Sequence, residues 1–309
     1  GLGFGPDAGQ VYEEGLCVPI MALFKRGKVN ESLLDIVRAN VREPIQVVGD
    51  IYSLAASNTV GGRRLLETMD EYGLETLRES GDHIIETSRR VMQGEIGALP
   101  AGTYENSMVV DGFDRPITIA ARMTISADAL AIDFEGTSAV SAYGINVPLT
   151  YTQAYASFGV RCIVGSSIPN NSGSLAPLTI HAPVGSILNA PRPCAVAIRH
   201  VVGQMLPDVV LGCLDKAIPG RVPAEGSSSL WNPMLSAGHG LTGNAEYGKE
   251  MPFSVTIFHS GGTGAQPSND GLSATAFPSG VRNTPVEITE TLAPLIFRRK
   301  EYRPDSGGA

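Results

Sequence analysis

Between residues 30 and 94 the apolar positions recur at steps of three to five, a spacing that predicts helices. Asn30 suits the cap of a first helix that carries Leu33, Leu34, Ile36 and Val37 on one side. Pro44 fits the first turn of a second, which continues through Ile45, Val48, Ile51, Ala55 and Val60. A third carries Leu65, Leu66, Met69 and Tyr72, and a fourth Ile84, Ile85, Val91 and Met92. Gly61-Gly62 and Gly73 are expected to divide them. Residues 1–98 therefore read as a mainly helical subdomain.

The pattern changes at Leu99-Pro100-Ala101-Gly102. Ile117, Ile119, Ala121, Met123 and Ile125 fall on alternate positions, and so do Leu130, Ile132 and Phe134 beyond the short turn Ser126-Ala127-Asp128. Period two on both sides of a polar turn is a β-hairpin. A helix is expected after Pro148, with Ala154, Phe158 and Ile163 inward, followed by short strands near Leu178–His181 and Ser186–Leu188. Val201, Met205, Val209 and Cys213 repeat every four residues in a helix over 199–218, which Pro207 must kink or restart because it lacks a backbone donor. From 225 to 284 the chain is mostly Gly, Ser, Asn and Pro, with one strand at Phe253–Phe258. The fold class is α+β: the helical subdomain, then a mixed α/β region over 99–309 with packed helices and long Gly-rich loops.

Composition narrows the function classes. At 309 residues and 43% hydrophobic content the chain can bury a substantial core, and its 36 Gly and 21 Pro fit many turns. A net charge of −8 argues against nucleic acid as a partner, since phosphate contacts need clustered Lys and Arg. No apolar run approaches the roughly 20 residues that span a bilayer. The start, GLGFGPDAGQ, has no signal-peptide pattern, and Cys17, Cys162, Cys194 and Cys213 form no CxxC pair. Reduced thiols in the cytoplasm are the expectation. Both ends fall in Gly-rich stretches without an initiator Met, so truncation at both is expected.

Walker, HExxH and GxSxG signatures are absent. Three features carry candidate chemistry. His200, Gln204 and Asp208 lie four apart, with Arg199 beside them, so one helix face could hold a general acid or base with its orienting partner, or be a hydrogen-bonded cap or an inter-subunit polar seam. Glu225-Gly226-Ser227-Ser228-Ser229 precedes Trp231-Asn232 and could face a small polar ligand, or be a solvated loop. In HSGGTGAQPSNDG, Gly261, Gly262 and Gly264 could bring backbone amides close to an oxyanion, while Asp270-Gly271 reads as a turn. The candidate catalytic residues are thus His200, Asp208 and Glu225. Those for substrate binding are Arg199, Asn232, Gly261, Gly262, Gly264 and Asp270.

Six ordered blocks resemble the hydantoinase B and 5-oxoprolinase family. They are VYEEGLCVPIMALFKRGKVNE, EPIQVVGDIYSLAASNTVGGRRLLE, DFEGTSAVSAYGINVPLTYTQAYASFGVRCIV, RHVVGQMLPDVVLGCLDKAIPGRVPAEG, GGTGAQPSNDG and the terminal TPVEITETLAPLIFRRKEYRPDSGGA. The resemblance implies an internal fragment of the B-type subunit of an ATP-dependent cyclic amidohydrolase. It would open a 5-oxoproline or hydantoin ring after a hydantoinase A-type partner, which binds ATP, phosphorylates the carbonyl oxygen. It further implies a divalent metal in the longer parent, held by a His- and Asp-bearing block before Gly1, and no metal on this fragment. The family also contains acetone and acetophenone carboxylase subunits, so a carboxylase subunit or a non-catalytic assembly module remains an alternative.

Overall fold

The computed structural model describes residues 5–228, 230–237 and 253–302. Its first part comprises α1 (Val11–Glu14), a hairpin of β1 (Phe24–Lys25) and β2 (Lys28–Val29), then α2 (Glu31–Asn40), α3 (Pro44–Glu71) and α4 (Arg78–Gly97). The Leu33 amide donates to Asn30 Oδ1 at 3.2 Å, so the expected cap forms, and Pro44 opens α3 as expected. The break expected at Gly61-Gly62 does not occur: α3 runs through both. Glycine weakens a helix interior by about 1 kcal/mol but keeps its N–H and C=O, so it does not end one. Gly73 does, at φ 60, where the Leu74 amide reaches back to the Met69 carbonyl at 2.7 Å. No side chain of α3 is buried, and Ile45, Leu54 and Leu66 stay exposed. By contrast, α4 turns Ser88, Met92 and Ile96 inward and packs on α6 (Ser172–Leu175).

The centre is a four-stranded sheet of β3 (Gly102–Val110), β4 (Ile117–Ile125), β5 (Leu130–Asp133) and β6 (Leu178–His181), in that spatial order. β3, β4 and β5 pair antiparallel; β5 and β6 pair parallel. The hairpin expected at 117–134 is present, and its turn closes with the Ser126 amide on the Ala129 carbonyl at 2.9 Å. Every second residue of β4 is buried, and Ile119, Met123, Leu130, Ile132 and Phe134 are sealed from water. Each such side chain contributes about 1.5–3 kcal/mol.

A parallel pair needs a crossover, and this one carries α5 (Leu149–Ile163) and α6. The inward face of α5 is Thr152, Ala156, Gly159 and Val160; Ala154 and Phe158, expected inward, are exposed. Size misled the expectation. A Cβ on Gly159 would lie 2.9 Å from Pro207 Cα, so the closely packed face is the one with small residues. The strand expected at Ser186–Leu188 is instead a run of turns, Ser186 onto Pro183 and Asn189 onto Ser186, with one bridge from Ser186 to Ala139.

The helix expected over 199–218 forms as α7 (His200–Gly203) and α8 (Leu206–Ala217), with Pro207 in the first turn of α8. α8 lies on β3 and β4 and against α5. Beyond it, β7 (Leu230–Trp231) pairs with β10 (His259–Ser260), and β8 (Met234–Ala237) with β9 (Phe253–Thr256), all antiparallel. Finally, α9 (Val286–Leu292) packs on β9 beside a small cluster of Val255, Ile257 and Ala293. Among the described residues no helix is long and apolar enough to cross a membrane.

Candidate active site

α8 is apolar where it meets the sheet and α5, and its first turn carries one carboxylate into that environment. Asp208 is only 6% exposed. Its Oδ2 accepts a hydrogen bond from Ser228 Oγ, and the Gly226 amide also donates to the carboxylate. Burial dominates and lifts the pKa from 3.8 to about 6, with the nearby charge of Glu225 pushing the same way. The two donors oppose the shift without cancelling it.

Asp208 lines a cleft of about 570 Å³ together with Asn106, Asp215, Glu225 and Gln266. Glu225 is exposed within the loop that follows α8. Asn106 comes from β3, and its Nδ2 donates to the Val209 carbonyl at 3.2 Å. Sequence reasoning missed both β3 and Asn106 for one reason. Tyr104, Met108 and Val110 alternate, but the amide at 106 occupies the position between them and breaks the apolar run. An amide at an inward position of an alternating strand was the available signal.

His200 belongs elsewhere. Asn232 Nδ2 donates to its Nε2 at 2.9 Å, which makes the imidazole an acceptor there. Burial, and then the charge of Arg199, lower its pKa, so the ring favours the neutral form. Beside the pair, the Trp231 ring stacks on His259 with centroids 5.3 Å apart, and Asn232 Oδ1 is buried with no hydrogen-bond partner among the described residues. The Arg199 guanidinium lies 5.7 Å from the centre of the Tyr151 ring, which itself stacks on Tyr155 at 4.4 Å. Residues eight apart share a helix face but stand roughly 12 Å apart along its axis. The structure thus brings Asp208 to Glu225 and His200 to Asn232, as two groups.

The Gly-rich segment packs on the loop that carries Glu225. The Ala224 amide donates to the Ala265 carbonyl at 2.8 Å, Ser227 to Gly262 at 3.2 Å, and the Gly262 amide returns to Ser227 Oγ at 3.1 Å. A Cβ on Gly264 would sit 1.8 Å from the Ala224 carbonyl oxygen, so glycine there lets two backbones meet. The Gly262 amide is therefore engaged within the chain, and Gly261 faces the Ser227 hydroxyl. Asp270 is exposed, and the turn expected at Asp270-Gly271 lies earlier, at Pro267-Ser268, where Gln266 and Asn269 bridge. Proline at 267 favours a turn that starts there. Ser229 lies outside the described residues. Among the described residues no group of three or more His, Cys, Asp or Glu side chains is placed to hold a metal ion.

The mixed sheet with its crossover helices and this buried carboxylate sit in a chain whose residues 2–309 match the Hydantoinase B/oxoprolinase family model, and the chain belongs to that family. It is 29% identical to the B subunit of a putative D-/L-hydantoinase from Pseudomonas sp. strain NS671, over 96% of this chain and 51% of the relative. It is 27% identical to the beta subunit of the caprolactamase from Pseudomonas jessenii, over 99% of this chain and 53% of the relative. The fold superposes on the nucleotide-free structure of acetone carboxylase with a TM-score of 0.81, at 18% identity, over 94% of this chain and 41% of that one. The chain spans about half the length of the two subunit relatives.

Proposed function

We propose that this chain is part of the B-type subunit of an ATP-dependent cyclic amidohydrolase, acting on a 5-oxoproline or hydantoin ring that a hydantoinase A-type partner has phosphorylated on its carbonyl oxygen. Family membership and relatives named as hydantoinase and caprolactamase subunits support the reaction class and the need for a partner. The observation that carries the chemistry is Asp208, a buried carboxyl with a pKa of about 6 facing a cleft.

A five-membered amide is a poor electrophile, and phosphorylation of its oxygen makes the carbon open to water. As water adds, a base must take its proton. Breaking the carbon–nitrogen bond then requires a proton on the ring nitrogen. A carboxyl with a pKa near 6 can do both at neutral pH: ionised Asp208 accepts the proton from water and, once protonated, returns it to the leaving nitrogen. The acyl phosphate left behind is hydrolysed by a second water. Glu225, at the edge of the cleft, adds a negative charge that keeps Asp208 basic. Arg199 and His200 with Asn232 remain candidates for holding the substrate, whereas the segment bearing Gly261, Gly262 and Gly264 packs on the loop that carries Glu225.

The test is the complete two-subunit complex supplied with ATP and, in separate reactions, 5-oxoproline, hydantoins and ketones. Release of an amino acid or carbamoyl amino acid together with phosphate is the expected result. Turnover of a ketone alone would overturn the proposal.

A further inference from the structure

The serine beside Asp208 is held in a conformation that its residue type disfavours. Ser228 has φ 44, in the left-handed region where a side chain clashes with the backbone and glycine is the ordinary choice. It is also 2% exposed, so no solvent contact accounts for a polar residue there. Among the described residues its hydroxyl meets one group, the Asp208 carboxylate. The loop that carries it is fixed from the other side by the Gly-rich segment, through the pairs Ala224–Ala265 and Ser227–Gly262. Glycine at 228 would relieve the backbone but leave the carboxylate without that donor.

We propose that Ser228 is a positioning residue for Asp208, fixing the carboxylate's rotamer toward the cleft and stabilising its ionised form; this rests on the proposed role of Asp208. The Gly-rich segment 261–265 then serves the site indirectly, as the brace of the loop that delivers the hydroxyl. Among the described residues, the surroundings add no cation to do the same work. Glu225 from the loop and Asp215 further along α8 are the charged groups of the cleft, β3 presents the neutral Asn106, and α5 meets this turn through Gly159 at Pro207. A hydroxyl donor is what holds a negative charge here.

The test uses the complete complex with its A-type partner and compares Ser228→Gly, Ser228→Ala and Asp208→Asn. Ser228→Gly is the informative variant, because it removes the hydroxyl while easing the backbone, which offsets part of what the lost hydrogen bond costs the fold. For it, the acidic limb of the kcat/KM–pH profile should move up by about one pH unit, the tenfold change in proton affinity that a lost hydrogen bond to a charged group brings. Ser228→Ala should shift the limb alike but melt at lower temperature than Ser228→Gly. If Asp208→Asn abolishes turnover while Ser228→Gly keeps the wild-type limb, the positioning role is wrong and the role of Asp208 stands. If Asp208→Asn retains wild-type turnover, the proposed function of the site fails, and the role of Ser228 with it.

Discussion

Replacing Asp208 by Asn should stabilise the chain, and by an amount that depends on pH. The folded pKa of about 6 lies above the ordinary 3.8. Between those values the native state holds a proton that the unfolded chain has released, so stability is greatest at low pH and falls as pH rises through about 6. The full difference amounts to about 3 kcal/mol. Between pH 4.5 and pH 8 roughly 2 kcal/mol of it should appear, because the unfolded carboxyl is already mostly ionised at pH 4.5. Asn has the same shape and no charge to bury, so it removes this slope. Chemical denaturation of both proteins at the two pH values isolates the effect, since any fixed consequence of the amide cancels in the double difference. The variant should gain about 2 kcal/mol on the wild type in going from pH 4.5 to pH 8. An equal stability difference at both values would refute the claim that burial governs this carboxyl.

His200 should behave in the opposite sense: its folded pKa is lowered by burial, so the stability it confers is present above about pH 6.5 and is lost on acidification. His200→Gln should flatten that acid loss in thermal melts between pH 7.5 and pH 5. Gly61→Ala, in a helix interior with open space around it, should raise stability by about 1 kcal/mol in urea titrations. Gly264→Ala, whose Cβ would meet the Ala224 carbonyl, should cost about 1–3 kcal/mol by the same measurement and loosen amide protection at Ala224.

What the sequence disclosed follows from where its signals are local. The β4–β5 hairpin was legible because alternate burial writes period two directly into Ile117–Phe134, and the Asn30 cap and the Gly73 stop because each acts within a turn of its own position. The continuity of α3 was not, since two glycines weaken a helix without marking whether neighbouring turns hold it. The inward face of α5 was misread because close packing there selects small residues over large ones. At the site, Asp208 and Glu225 could be found as residues, but not their pairing, which depends on a loop folding back over α8. Asn106 was hidden because it lies about a hundred residues away on β3, and Ser228, legible within the polar run 225–229, could be tied to Asp208 only once that loop was folded.

The most direct measurement is the ATP-dependent ring-opening rate of the complete complex carrying Asp208→Asn, with Glu225→Gln in parallel and partner ATP binding as the control. Turnover should fall by about 10²-fold or more for Asp208→Asn, the usual scale for a lost general acid–base group, with ATP binding unchanged. Glu225→Gln should retain activity and lower the acidic limb of the pH profile, because it removes a negative charge that raises the Asp208 pKa. A wild-type rate for Asp208→Asn would contradict the assignment and place the proton-transfer chemistry outside this cleft.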